Sequence, residues 1–391
     1  MTKQGAVHKV VVIGGGYAGT LAANRLRVRA DVDITLVNPR PAFVERVRLH
    51  QFVARTGAAT IDFNTLLGNG IRLVVDTAVR IDAAARTVRL ASGRTLEYDY
   101  VIYAVGSTAR IPLSVPGAAE FALPIGEFEY ARQLRDRLAA LPVDAPLVVV
   151  GGGLTGIETA AELAEQGRAV TLICGGNLAP TFGAPGRGYI ARWLARHDVT
   201  VLETSEVTEV RPEAVALSDG SARTSALTIW TAGFGVPELA AASGLRTDAL
   251  GRLITDETLT SLDDSRVIAA GDAAAPSGRP LRMSTYAATP LGARAADTVL
   301  SRLSGTDPAV IDLAFSGACV SLGRRAGIRQ LAGRDDIAVN FFVGGRLGAA
   351  IKELTCRFVV SKRLRLEARK PGSMRWPTGG PRLADPTVMM P

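Results

Sequence analysis

The feature that most constrains this chain is a duplication. HKVVVIGGGYAGTLAANRLR at residues 8–27 and PLVVVGGGLTGIETAAELAEQG at 146–167 share one pattern: a β-branched run, three consecutive glycines and an Ala-rich amphipathic stretch. Each reads as strand, tight turn and helix. A further apolar run follows each one, VDITLVN at 32–38 and RAVTLIC at 168–174, which completes two βαβ units. Strands joined by a helical crossover lie parallel and need both faces of their sheet covered. Each copy therefore seeds its own doubly wound α/β domain, and 391 residues, 47% of them hydrophobic, are enough for two buried cores.

The regions after the two units also mirror each other. Short strands alternate over 71–108 and again over 199–233, and both series end in small-residue turns, Ala104-Val105-Gly106-Ser107 and Thr231-Ala232-Gly233. These are natural crossing points between domains. From Arg266 the chain reads VIAAGDAAA, a strand running into Gly271-Asp272, followed by a helical stretch to about Leu303. Residues 308–370 read as a separate strand-and-helix module, and the chain after Pro371 as a loosely ordered tail.

Composition removes several function classes. The 41 glycines cluster in short runs rather than at every third position, which excludes a collagen-like chain. Cys174, Cys319 and Cys356 lie far apart, with no CxxC and no zinc spacing, so thiol exchange and a metal centre are not expected and the chain reads as intracellular. The polar lead before His8 lacks the apolar core of a signal peptide, and no apolar stretch approaches the ~18–20 residues of a membrane span. A cytoplasmic location is expected. Of the 45 Lys and Arg and 37 Asp and Glu, residues 320–391 hold 14 and 5, so the basicity belongs to the carboxyl-terminal part.

Gly14, Gly16 and Gly19 form GxGxxG between strand and helix, and Gly151, Gly153 and Gly156 repeat it, with Thr155 inside the second turn. Such turns let backbone N–H groups and the positive end of a helix meet a pyrophosphate with no side chain in the way. Two dinucleotide sites are expected. At the end of the second strand the pattern calls for an acid on the adenosine ribose. The first copy has Asn38 there, with Arg40 nearby, and the second has Cys174-Gly175-Gly176-Asn177, so NADH versus NADPH stays open.

The two halves together with Gly271-Asp272 make residues 8 to about 305 resemble the two-dinucleotide-domain flavoproteins, the pyridine nucleotide-disulfide oxidoreductase superfamily. The resemblance implies α/β architecture: two nested Rossmann-like domains plus a small α+β carboxyl-terminal module. The FAD-binding domain would be 1–110 and 236–306, the NAD(P)-binding domain 111–235, the acceptor or interface module 307–370 and the flexible tail 371–391. It further implies FAD in the first unit and NADH or NADPH in the second, with Asp272 on the ribityl chain, Gly106 along the cofactor, Val79 at the adenine through its backbone, and Glu158 and Gly233 at the nicotinamide side. Disulfide-reducing members carry a Cys pair soon after the first unit. This chain has FVERVRLHQF at 43–52 instead, so it is similar to the type II NADH dehydrogenase and apoptosis-inducing-factor-like branch without a redox disulfide.

Four details remain open from the residues themselves. His50 either donates to the flavin or the acceptor, or packs on a helix bracing the cofactor, and the packed reading is preferred. Arg46 and Arg48 are candidates for the FAD pyrophosphate, with Arg48 favoured. Thr289-Pro290 reads as N-cap and first residue of a helix whose start, with Leu291, would face the flavin. In the stretch 345–370, Leu347, Ile351, Leu354, Phe358 and Val359 can share one face, with Lys352, Arg357, Lys362, Arg363 and Arg365 toward the others. It can lie on an anionic membrane or pack in a homodimer or domain interface. Without interleaved aromatics it does not suggest nucleic-acid binding. The resulting expectation is an FAD-dependent NAD(P)H oxidoreductase passing hydride to flavin N5 and then electrons to a quinone. The alternatives are a reductase for a soluble protein or biosynthetic small molecule, and a redox-responsive flavoprotein acting as an interaction module.

Overall fold

The computed structural model describes residues 7–381. Two five-stranded parallel sheets carry the chain. The first runs, edge to edge, Val267–Ala269, Tyr100–Tyr103, His8–Ile13, Val32–Asn38 and Ile71–Val75. The second runs Ala122–Pro124, Leu227–Trp230, Leu147–Val150, Val170–Ile173 and Thr200–Leu202. The repeated units take the same places in both, and the registers agree: Ile13 opposes Val37 and Val150 opposes Ile173, each just ahead of the glycines. Val10–Ile13 and Leu147–Val150 are buried throughout, as a strand with both sheet faces covered must be.

The helix Tyr17–Leu26 is buried at all ten positions. Its alanines allow this, because small side chains let the helix Thr285–Leu303 approach closely: a Cβ at Gly292 would lie 2.2 Å from the Ala18 carbonyl oxygen. The mirrored hairpins become two three-stranded antiparallel sheets, Ala78–Asp82, Thr87–Leu90, Thr95–Glu97 and Val207–Val210, Ala214–Leu217, Ala222–Thr224. Between the halves, Thr108–Ala109 pairs with Phe234–Gly235 next to the small-residue turns. The edge strand of the first sheet, Val267–Ala269, is therefore supplied only after the whole second sheet has been built.

The carboxyl-terminal module has a three-stranded antiparallel sheet, Gly317–Leu322, Ala326–Ala332 and Ala338–Gly344. The helix Gly345–Phe358 follows, then a π-helical turn over Val359–Leu364 and the short helix Arg365–Arg369. The loose tail expected after Pro371 is corrected as far as Pro381. Met374 is buried, the Glu367 carboxylate accepts from the Gly372 and Met374 N–H groups at 2.6 and 2.7 Å, and Trp376 Nε1 donates to the Asp312 carbonyl at 2.8 Å. These partners satisfy backbone groups that a solvated tail would leave to water. The rest of that expected tail, 382–391, lies outside the described residues. Among the described residues no helix is long and apolar enough to cross a membrane.

Candidate functional site

The two glycine turns are built alike, and each glycine in them has a distinct reason to be there. Gly14 and Gly151 hold φ of +103° and +124°, where a side chain would be strained, and an added Cβ would lie 2.3 Å from Ala104 O and 2.5 Å from Thr231 Oγ1. Gly19 and Gly156 let the helix sit on the turn, since a Cβ at either would come within 1.8 Å of the Gly14 or Gly151 carbonyl oxygen. Gly16 and Gly153, at the helix N-caps, have nothing within 4 Å of where a Cβ would be. The open side of each turn is the side on which a dinucleotide phosphate can approach the helix end.

From the first turn a cavity of about 590 Å³ runs to the carboxyl-terminal module. It is lined by Gly14 and Gly16 from the first unit, Leu154, Thr155 and Glu158 from the second, and Cys319, Arg329, Lys352 and Cys356 from the module. Asn38, Arg40, His50, Gly106, Gly233 and Asp272 line it as well. Asn38 accepts from the Gly15 N–H at 2.9 Å and donates to the Arg40 carbonyl at 2.7 Å, while the Arg40 guanidinium pairs with Glu129. Asp272 accepts from Ser107 Oγ at 2.8 Å, and Arg46 Nη1 donates to the Ser107 carbonyl oxygen and Oγ at 2.7 and 3.0 Å. Burial pushes the Asp272 carboxyl above its ordinary value, against the pull of Ser107 and Arg46. Tyr17 Oη, also in the wall, is buried with no hydrogen-bond partner among the described residues. An orphaned hydroxyl, a turn with room for phosphate and a carboxylate on the wall form a fitting surface for FAD.

At the other end, four buried polar groups meet. Glu158 Oε1 accepts from Lys352 Nζ at 2.8 Å and from the Ser321 N–H at 3.0 Å, and the Ser321 hydroxyl lies 3.2 Å from both Glu158 Oε1 and His50 Nε2. His50 Nδ1 is 3.7 Å from Glu158 Oε2. Burial alone would raise the Glu158 carboxyl, but Lys352 and His50 hold it below its ordinary value. Burial lowers His50 to about 4, with Lys352, Arg324 and Arg48 adding to it against Glu158. Lys352, despite burial, is held above its ordinary value by Glu158. At neutral pH the cluster is a carboxylate–ammonium pair beside a neutral imidazole. His50 is buried on the helix Leu49–Val53 and lines the cavity.

Several expected contacts lie elsewhere. Arg48 is locked between Glu45 at 3.0 Å and Glu353 at 2.9 Å, outside the cavity wall, and Arg46 takes its place there. The Thr289-Pro290 helix start is corrected: Ser284 is the N-cap, its Oγ accepting from the Ala287 N–H at 3.2 Å, so Ser284–Tyr286 line the cavity while Thr289, Pro290 and Leu291 are buried in the packed helix. Val79 is 40% exposed, and its strand meets the cavity through Ala78, with Asp76 and Thr77 just ahead. Gly19, Gly151, Gly153, Gly156 and Cys174 shape the turns without lining the wall. The basic helix face is also redrawn: Lys352 points inward, and Arg363 is buried with Nη1 donating to Thr289 Oγ1 at 2.6 Å. Leu347, Leu354 and Phe358 stay exposed at 62%, 63% and 51%. Sequence reading missed Ser107, Arg329 and Lys352. Only Ser107, directly after Gly106, carried a local signal.

The model of the pyridine nucleotide-disulphide oxidoreductase family matches residues 8–292. NADH dehydrogenase-like protein Rv1812c of Mycobacterium tuberculosis is 32% identical over 296 residues, covering 68% of this chain and 73% of the relative. The type II NADH:quinone oxidoreductase of Staphylococcus haemolyticus is 25% identical over 378 residues, with 84% and 90% covered. Among solved structures, the sulfide:quinone oxidoreductase of Aquifex aeolicus superposes with a TM-score of 0.79 at 20% identity, covering 93% of each chain, a likeness of fold.

Proposed function

Because this chain belongs to the pyridine nucleotide-disulphide oxidoreductase family and is an FAD-dependent NAD(P)H oxidoreductase of the NADH dehydrogenase-like kind, we propose that its electron acceptor is a quinone. One observation carries the reading: a single cavity joins the first glycine turn, the helix of the second unit and the carboxyl-terminal module, so donor, cofactor and acceptor have one meeting place. FAD, when bound, supplies the electron-accepting ring, and the protein supplies position and charge. Gly16 and the N-terminus of the helix Tyr17–Leu26 would face the pyrophosphate, and Asp272, which accepts from Ser107, would also accept from a cofactor hydroxyl. Thr155 and Glu158 border the nicotinamide side. Lys352 presents an ammonium, and Arg329 a guanidinium, at the module end, where a reduced quinone oxygen gains charge.

The exposed Leu347, Leu354 and Phe358, flanked by Arg346 and Arg357, offer a face for peripheral contact with an anionic membrane, in which a quinone would dissolve. The test is an acceptor screen. The purified yellow protein, reduced anaerobically with NADH, should be reoxidised within one turnover time by a short-chain quinone and slowly by soluble electron-carrier proteins. Fast reoxidation by a soluble carrier, with no response to quinone, would overturn the quinone reading.

A further inference from the structure

The second unit ends its second strand without the acid that usually reads the adenosine ribose, and the structure shows where another acid comes in. Cys174 stands where Asn38 stands in the first unit. A Cβ on the middle glycine of each turn would touch it, at 2.7 Å from Cys174 Cβ for Gly152 and 2.9 Å from Asn38 Cγ for Gly15. Cys174 cannot replace a carboxylate, because burial and the nearby Glu203 charge push its thiol up to about 12. Gly175 and Gly176, at φ +64° and +149°, add no side chain, and the loop 174–177 contains no Lys or Arg.

Glu203 follows directly on the neighbouring strand, Thr200–Leu202. Its backbone carbonyl accepts from the Gly176 N–H at 2.5 Å and its Oε2 from the Leu178 N–H at 2.9 Å. This holds the exposed carboxylate against the loop, and Oε1 has no partner among the described residues. Glu206 stands by as a second acid, its Cγ 4.0 Å from where a Gly175 Cβ would be. An ionised carboxylate beside the ribose accepts from a free 2′-hydroxyl and repels a 2′-phosphate, whereas a phosphate needs a basic partner that this loop lacks.

We propose that Glu203, lent by the adjacent strand, reads the adenosine 2′-hydroxyl and makes the chain select NADH over NADPH, with Glu206 reinforcing the rejection of the phosphate. This rests on the reading of the second glycine turn as the nicotinamide-nucleotide site. It displaces the specificity determinant by one strand from its usual place.

Stopped-flow reduction of the FAD-loaded enzyme by NADH and by NADPH tests it. Glu203→Gln should raise the half-saturating NADH concentration roughly 10- to 100-fold, the loss of one or two charge-assisted hydrogen bonds, and leave the limiting reduction rate unchanged. The double variant Glu203→Gln, Glu206→Gln should narrow the NADH:NADPH preference by a further several-fold. Cys174→Asp on the Glu203→Gln background, which returns an acid to the usual strand end, should restore much of the NADH affinity. A brace-only role for Glu203 would lower the melting temperature without changing the NADH:NADPH ratio, and that result overturns the proposal. An equal preference in the wild type overturns it too. If Gly153→Val leaves reduction by NADH intact, it is the site reading itself that fails.

Discussion

The two glycine turns have the same backbone and different surroundings. Gly14 and Gly16 line the cavity, whereas Gly151 and Gly153 stay out of its wall and only the next helical turn, Leu154, Thr155 and Glu158, reaches in. The local motif therefore sets what kind of group can bind, and the cavity beside it sets how much of the group is held. A first turn on the cavity wall suits a cofactor that remains through many cycles, and a second turn at the cavity's margin suits a nucleotide that must leave after each. The helices diverge in step. Leu21, seven residues after Gly14, is a buried core residue, and Glu158, seven after Gly151, is a buried ion-pair partner.

The comparison breaks most sharply at the open glycines. Gly16→Val should yield a colourless protein with no retained FAD by absorbance. Gly153→Val should keep its flavin and slow reduction by NADH at least ~100-fold, consistent with loss of more than about 2.7 kcal/mol of binding. Flavin loss in both variants would mean the turns are not separate sites. Making the second helix resemble the first, Glu158→Leu leaves Lys352 buried without its carboxylate and should cost about 3–5 kcal/mol in denaturant unfolding. Leu21→Ala, by cavity formation alone, should cost about 2–5.

The cluster in which the second helix's Glu158 meets His50, from the helix Leu49–Val53, should also be sensitive to acid. His50 is lowered to about 4 against an ordinary value near 6.5, so the unfolded chain binds the extra proton between those values. Stability is then full above about pH 6.5 and falls as pH drops toward 4, by on the order of 3 kcal/mol. Glu158, also lowered, extends the loss in the same direction below about pH 4.5. Thermal melts from pH 7 to 5 should show the slope, and His50→Leu should flatten it. The smallest effects are at the strand ends. Asn38→Leu strands the buried Gly15 N–H and should cost about 1–3 kcal/mol, while Cys174→Ser should stay within about 1 kcal/mol, both read by chemical denaturation. A larger cost for Cys174→Ser would show that the two positions are held alike.

The parts legible in the sequence are those that repeat at short range. Both βαβ units, the mirrored hairpins and the strand before Gly271-Asp272 follow from period and turn residues, which local chemistry dictates. Thr289-Pro290 misled because a proline suits a first helical turn, yet Ser284 already caps the helix and Thr289 Oγ1 donates to the Thr285 carbonyl at 3.2 Å inside it. Lys352 and Arg363 looked like surface charge because a helical wheel carries no record of which neighbour covers it. Their partners, Glu158 and Thr289, are chosen by tertiary packing far along the chain.

That long reach has a consequence for how the protein is made. Glu158 and its buried partner Lys352 are about 190 residues apart, and at ~5–20 residues per second a ribosome takes roughly 10–40 s to travel between them. Once Leu227–Trp230 has been made, the second nucleotide domain has every strand of its sheet, but its helix carries a carboxylate whose counter-charge has not been synthesised. The nascent domain must keep that face wet or keep the proton. Final docking is therefore postponed until the Gly345–Phe358 helix has emerged, and a chain released before then lacks the ammonium that pairs with Glu158.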